Sequence, residues 1–566
     1  MIDNSKSKNT NILINEIKTY KKAFYSIGIF TAIINILMLA PSIYMLQVYD
    51  RVLASNNKMT LLMLTLLVIC IYLFIGILEW VRNLIVIRIS TGLDLSVNQS
   101  VFNAAYEQSL KYNDSQASQA LSDLTTLRQF VTGNALFALF DAPWFLFFLC
   151  VVFLLHPWLG YLALGGATFI SLLAWLNQRY THKPLAQANL MARKAINQAS
   201  THLRNTDVIE AMGMLGNIRR CWSTYHHAFL SHQNLASERT SASSAWSKTA
   251  RLMLQSLVLG MGAWLVTNNE LTAGMMIASS ILVGRVLSPI DQLIAVSKQY
   301  NNARQAYQRL DLLFKQHPPR KQVMTLPAPT GELSVENVLY RPDPEYPPLL
   351  FDVQFSLSAG QTLAIIGASG AGKSTFARIL VGALPPTLGY IRLDGANIHQ
   401  MDREILGPHI GYLPQDIQLF DGTIAENIVR FGEIAVDKVI TAAKIARVHD
   451  LILALPNGYD TRLGEYGRGL SGGQKQRLAL ARAIYGLPRL IILDEPNSNL
   501  DSEGDKALCL AIEELKKQHC TLIIITHRPF LIRYVEHVLI LQAGMSPRFG
   551  PPQTLLNEHK TSQLTT

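Results

Sequence analysis

The sequence predicts a multi-domain fold: a six-helix, membrane-spanning α-helical domain followed by an α/β domain of the P-loop type. Three observations predict it. Six apolar runs near bilayer-spanning length crowd into the first 300 residues. Beyond a Pro-rich stretch, His317 to Pro329, the pattern changes to short apolar strands alternating with helices. Within that second part, Gly367 to Thr375 form a Gly-rich loop between an apolar strand and a helix. Composition agrees. Of 566 residues, 49% are hydrophobic and 16% charged, with a mean hydropathy of +0.19. An average soluble chain carries about 25% charged residues, and the deficit lies in the apolar first half.

Residues 1–23 form a polar, Lys-rich N-terminal segment. No small-residue cleavage site follows the first apolar run, which therefore reads as a retained span and not a signal peptide. The spans are Phe24–Leu46, Thr60–Trp80, Ala135–Leu155, Trp158–Leu176, Leu252–Val266 and Met275–Ile294. The fifth is short and is expected to begin before Arg251. Lys6, Lys8, Lys18, Lys21 and Lys22 precede the first span, and about ten Lys or Arg lie between the fourth and the fifth. Intervals on the opposite side hold little beyond Arg51 and Lys58. This asymmetry puts both termini and the long intervals on the cytoplasmic side. The long intervals, Val81–Asn134 and Asn177–Arg251, have few Gly or Pro and predict helices that project well beyond the bilayer. The membrane domain then takes residues 24–315, a linker 316–330, and the α/β domain 331–566.

The formal net charge is +10, and much of the excess flanks apolar spans, so it points to membrane lipid. No aromatic-interleaved basic patch accompanies it, and nucleic acid is not an expected partner. Cys70, Cys150, Cys221, Cys509 and Cys520 show no C-x-x-C spacing and read as reduced structural thiols.

The loop is Gly367, Ala368, Ser369, Gly370, Ala371, Gly372, Lys373, Ser374 and Thr375. Its glycines let backbone N–H groups turn inward around the β- and γ-phosphates of a nucleotide. Lys373 adds a point charge there, and the Ser374 hydroxyl suits Mg²⁺. About 120 residues after Lys373, four aliphatics, Leu490 to Leu493, end in Asp494 and Glu495. Asp494 suits the Mg²⁺ shell, and Glu495 suits a general base that polarises the attacking water.

Leu470, Ser471, Gly472, Gly473 and Gln474 open an expected helix, Gln474 to Tyr485. With the phosphate loop, this L-S-G-G-Q sequence closely resembles the ABC ATPases. The resemblance implies ATP as the nucleotide and assigns further residues. Gln415 matches the Q-loop that senses the γ-phosphate, joins the metal shell and couples to the membrane domain. His527 matches the switch histidine, Asp501 the D-loop, and Tyr340 is the candidate aromatic that stacks on adenine. Ser471 and Gly473 would present a hydroxyl and backbone N–H groups at a helix N-terminus to a γ-phosphate. In that family the phosphate belongs to ATP on the other subunit. With one phosphate loop and one signature, this chain is expected to act as a homodimer with two hydrolytic composite sites.

Spans placed before the ATPase on one chain resemble exporters. Met45 to Leu53 (MLQVYDRVL), Phe140 to Trp144 (FDAPW), His156 to Gly160 (HPWLG), Arg204 to Met214 (RNTDVIEAMGM) and Gly411 to Asp416 (GYLPQD) narrow the match. They resemble the type I secretion ATPases of Gram-negative bacteria, in the PrtD-type branch that exports proteases, lipases and haem-binding proteins. The resemblance implies a multi-pass inner-membrane protein with a cytoplasmic nucleotide-binding domain. It also implies a periplasmic adaptor, a TolC-type outer-membrane channel and an unfolded polypeptide substrate with a C-terminal signal. Only about 23 residues precede the first span and no Cys precedes Cys70, so a leader-cleaving cysteine peptidase is not expected. A lipid or drug exporter shares every ATPase motif and differs in the membrane half. A non-hydrolysing channel or regulator would be expected to lose Glu495 or the signature. Arg285, midway along the last span, is expected to face the translocation path, with Pro289 kinking the helix nearby.

Overall fold

The structure is a computed structural model that describes residues 12–112, 117–203, 205–318, 326–343, 345–464, 467 and 469–555. It divides into two compact units, one ending at Pro319 and the other starting at Arg320. Residues 1–11, 319–325 and Arg204, invoked above for the N-terminal segment, the linker and one motif, lie outside the described residues.

In the first unit, five of the described helical stretches are long and apolar enough to cross a bilayer: Lys21–Ser55, Lys58–Leu110, Pro157–Leu203, Leu215–Thr267 and Ala273–Gln316. A sixth candidate span is a bent pair, Asn134–Asp141 and Trp144–Leu155, whose axes meet at 43°. The sequence reads Ala135–Leu155 as one apolar run; the structure breaks it at Ala142 and Pro143. Proline lacks an N–H, and its ring clashes with the carbonyl four residues back. The first span is also composite. Helix Lys21–Leu37 gives way to Ala40–Gln47 and then to a π turn, Val48–Val52. Helix Ala273–Gln316 runs on through Pro289 without a break in its helical assignment.

Helix Lys58–Tyr112 has 55 residues. At about 1.5 Å per residue it is roughly 80 Å long, against a hydrocarbon core of about 30 Å. Leu66, Leu67, Leu73 and Ile77 are more than half exposed along it, the pattern of a surface solvated by lipid. The unit's interior is packed around Phe148, Val152, Leu159, Val258, Leu265, Val283, Val286 and Leu287. Beyond the expected bilayer, the buried Asp123 carboxylate accepts two hydrogen bonds from Arg309, from Nε and Nη2, each 2.7 Å. That fork joins helix Ala117–Thr132 to the last helix.

The second unit has strands β1 (Leu333–Tyr340), β2 (Leu350–Leu357), β3 (Thr362–Gly367), β4 (Leu388–Leu393), β5 (Ala396–Asn397), β6 (Ile410–Leu413), β7 (Gly422–Thr423), β8 (Arg462–Leu463), β9 (Leu490–Asp494), β10 (Thr521–Ile525), β11 (His537–Leu541) and β12 (Arg548–Gly550). An antiparallel sheet runs β2-β1-β4-β5, and a larger one runs β12-β11-β3-β10-β9-β6. In the larger sheet all neighbours are parallel except β12 on β11. Every residue of β9 and β10 is buried, as expected for parallel strands covered on both faces. In such sheets ligands bind beyond the carboxyl ends of the strands. Here β3 ends at Gly367, β6 runs towards Gln415, β9 ends at Asp494, and β10 leads to Thr526 and His527.

Candidate functional site

The phosphate loop leaves β3 and enters helix Lys373–Leu380 through Gly372, whose φ is +87°. A Cβ there would be strained by that backbone and would sit 3.0 Å from Leu349, so only glycine fits the turn. Lys373, 7% exposed, folds over the loop, and its ammonium donates to the carbonyls of Gly367 (2.9 Å) and Ala368 (2.8 Å). Burial pushes its pKa below the ordinary lysine value, and the charges of Glu495 and Asp494 oppose the fall.

A continuous chain of polar side chains crosses the carboxyl ends of the strands. Ser374 Oγ donates to Gln415 Oε1 at 3.4 Å, and Gln415 Nε2 donates to Glu495 Oε2 at 3.2 Å. The other Glu495 oxygen lies 3.4 Å from His527 Nε2. Glu495 occupies the left-handed region at φ +49°, and its N–H donates to the Ile525 carbonyl at 3.0 Å. This unusual backbone aims the carboxylate across β10 towards His527. Asp494, 1% exposed, points into the sheet end, and its Oδ1 has no hydrogen-bond partner. Burial pushes its carboxyl above the usual carboxylate range. The Ser374 hydroxyl lowers it, and neighbouring Glu495 raises it further.

The signature residues are not drawn into this network. The Ser471 hydroxyl accepts from Gln474 N–H at 3.3 Å, and Gln474 Oε1 accepts from Ser471 N–H at 2.9 Å. Together they make a capping box at the start of helix Gly472–Ile484. Ser471 and Gly472 are exposed, and a Cβ on Gly472 or Gly473 would meet Asn499, so the motif backs onto the segment after β9. Asp501 caps helix Ser502–Lys517 by accepting from Gly504 N–H at 2.8 Å. Tyr340 pairs across the antiparallel sheet with Leu350, whose side chain approaches Gly372, so its strand borders the phosphate loop. Arg285 lies in the other unit, on the wall of a cavity within the membrane helices.

Sequence reasoning missed Gln476. It is 2% exposed; its Nε2 donates to the Glu495 carbonyl (3.3 Å) and its Oε1 accepts from Asn499 N–H (2.9 Å). It locks the signature helix to the turn that carries Glu495. The available signal was spacing: Gln476, Leu480, Ala483 and Ile484 share one buried helical face, where an amide is out of place unless it is bonded.

An α/β domain with these groups at one sheet end, on the same chain as a bundle of membrane-spanning helices, has the architecture of an ABC exporter. The family description "ABC transporter transmembrane region" matches residues 24–290, and "ABC transporter" matches 350–498. The type I secretion system ATP-binding protein PrsD of Rhizobium meliloti (strain 1021) is 41% identical over 95% of this chain and 93% of its own length. The leukotoxin export ATP-binding protein LtxB of Aggregatibacter actinomycetemcomitans is 28% identical over 96% of this chain and 77% of its own. A bacterial Atm1-family ABC exporter solved with ATP bound superposes with a TM-score of 0.80 at 22% identity, covering 95% and 96% of the two chains; it shows the fold. The chain belongs to the ABC transporters, in the family of type I secretion ATP-binding proteins. It is an ATP-binding, membrane-embedded protein.

Proposed function

We propose that this protein drives the export of unfolded polypeptides with C-terminal signals across a bacterial inner membrane, as the ATPase of a type I secretion system. The observation that carries the reading is the Ser374–Gln415–Glu495–His527 chain beside the Lys373 loop, on a polypeptide whose relatives are secretion ATPases. In this reading Glu495 takes a proton from attacking water; its contacts with Gln415 (3.2 Å) and His527 (3.4 Å), one to each oxygen, support that role. Lys373 and the loop N–H groups from Gly367 to Thr375 hold the phosphates, and Tyr340 stacks on adenine. An orphaned, buried Asp494 oxygen beside Ser374 and Gln415 makes an all-oxygen donor set, which fits Mg²⁺. Those three residues would hold the ion, which neutralises phosphate charge when bound.

The exposed Ser471–Gln474 helix start needs a phosphate from elsewhere, which favours a homodimer with two composite sites and Asp501 at the junction. Domain limits of 24–315 and 331–566, a periplasmic adaptor, a TolC-type channel and Arg285 on the translocation path complete the reading. Deleting the gene should leave one or a few proteins with intact C-termini inside the cell and missing from the medium. An unchanged set of secreted proteins, under conditions that express the gene, refutes it.

A further inference from the structure

Inside the membrane unit a cavity of about 430 Å³ opens between the first span, helix Lys58–Tyr112, the bent pair and the last helix. Four ionisable side chains line it: Glu79, Arg82, Asp141 and Arg285. Two of them, Arg82 and Asp141, have hydrogen-bond partners. Arg82, 8% exposed, donates to Thr31 Oγ1 (3.3 Å), and its guanidinium carbon lies 4.2 Å from the centroid of Phe137, within the field of Glu79 and Asp141. Asp141 Oδ1 accepts from Asn35 at 2.9 Å. Arg82 Nε is buried and has no partner.

Arg285 differs. Among the described residues it has no hydrogen-bond or ion-pair partner. It lies twelve residues into helix Ala273–Gln316, about 18 Å along the axis by helix rise and so near mid-bilayer. Six residues further on, Asp291 shows what a satisfied pair looks like on the same helix: Arg251 Nη1 reaches its Oδ2 at 2.9 Å. A charge held at that depth without a partner is costly, and such residues mark substrate routes. Around it the wall carries amides, Asn35, Asn134, Gln292 and Gln299. Asn35 Nδ2 is taken up by Asp141 and the Thr31 carbonyl, and Gln292 Nε2 reaches Ser288 Oγ at 3.5 Å. Among the described residues, the oxygens of those two amides and both ends of Asn134 and Gln299 have no hydrogen-bond partner, and an acyl chain would leave them so.

We infer that this cavity receives a carboxylate on an extended peptide segment: Arg285 pairs with the carboxylate, and the amides hold the segment by its backbone. The inference rests on the export reading and adds to it a preference for acidic passengers at this point of the route.

The full-length protein, in nanodiscs of neutral phosphatidylcholine, is titrated with two fluorescent peptides of equal length. One alternates Asp with Ser and the other Asn with Ser. The Asp peptide should bind about tenfold more tightly, and Arg285→Gln should erase the margin. Ser288→Asp, one helical turn away, should erase it too by offering Arg285 an internal carboxylate. That second variant keeps the inference exposed if the first fails to fold. Equal binding of the two peptides to the unmodified protein, or a margin that survives in a folded variant, overturns it. A margin lost when phosphatidylglycerol is added to the discs assigns the cavity to a lipid headgroup and overturns the peptide occupant. Crosslinking from Gln292→Cys separates the two layers. Capture of both peptides without preference removes the carboxylate site and leaves the route; capture of neither removes both.

Discussion

Asp50, in the π turn that ends the first span, accepts a hydrogen bond from Thr272 Oγ1 at 2.7 Å and from Gly274 N–H at 2.9 Å. Thr272 is the N-cap of the last membrane helix, so a carboxylate from the chain's first span sits on the positive end of its last. The helix start is stripped to glycine at the contact: a Cβ on Gly274 would lie 2.6 Å from Asp50 Oδ1.

Asp50→Ala should therefore lower the stability of the membrane unit by about 1 kcal/mol, the usual worth of a cap. Gly274→Ala should be at least as damaging, because the new methyl and the carboxylate cannot share the space. Thermal unfolding of the full-length protein in detergent reads both. Melting temperatures equal to the unmodified protein's in both variants would remove the cap from the account.

Replacing Glu495 with glutamine keeps the shape that bonds Gln415 and faces His527 but removes the carboxylate proposed as the base. Glu495→Gln should bind ATP with unchanged affinity and lose turnover by a factor of about 100 or more. Lys373→Ala should instead weaken ATP binding itself. Steady-state hydrolysis and equilibrium nucleotide binding separate the two effects. Near-normal turnover in Glu495→Gln would refute its assignment as base.

Gln476→Leu conserves bulk but strips the Glu495 carbonyl and the Asn499 N–H of their buried partner. Unfolding free energy should fall by about 1–3 kcal/mol. Turnover should fall about tenfold, with the KM for ATP little changed, because the defect touches the carboxylate's support and not the phosphate loop. A rise in KM with unaltered kcat would contradict this.

His399, half-buried against the backbone of Ile379 and Gly382 at the end of helix Lys373–Leu380 and near Arg403, has its pKa pushed down to about 4 from 6.5, by burial first and then by that arginine. The folded protein binds this proton later than the unfolded chain does. The neutral imidazole's contribution is thus complete above pH ~6.5 and declines as the pH falls towards ~4. Melting temperature against pH should show that decline in the unmodified protein and a shallower one in His399→Gln. Identical curves would place the sensitivity elsewhere.

The residues proposed to face the nucleotide were legible because a phosphate cradle is local: strand, glycine turn and helix lie within Thr362 to Leu380. Asp494 and Glu495 were legible for the same reason, as polar residues that abruptly end an aliphatic strand. What joins these segments was not. Gln476 to Asn499 and Asn35 to Asp141 are contacts between elements far apart in the chain, and each half reads alone as an ordinary amide or acid. Asp50 and Thr272, 222 residues apart, are the extreme case. The break in the third span was visible as Ala142-Pro143, but the surrounding apolar run has the composition of a straight helix. That Arg285 has no partner among the described residues could be read only from the folded structure, since three acidic or basic neighbours share its cavity and none reaches it.

The 55-residue helix Lys58–Tyr112 has a mechanical consequence. A hydrogen-bonded rod roughly 80 Å long behaves as an oar with its rowlock in the bilayer. A tilt of about 5° about a pivot near Cys70 moves the far tip, roughly 63 Å away, by roughly 5.5 Å, about one helical turn. Because no proline interrupts this rod, bending cannot absorb the stroke midway. Displacement at the tip must then arrive at Glu79 and Arg82, at the cavity's edge, as a rotation of the whole helix.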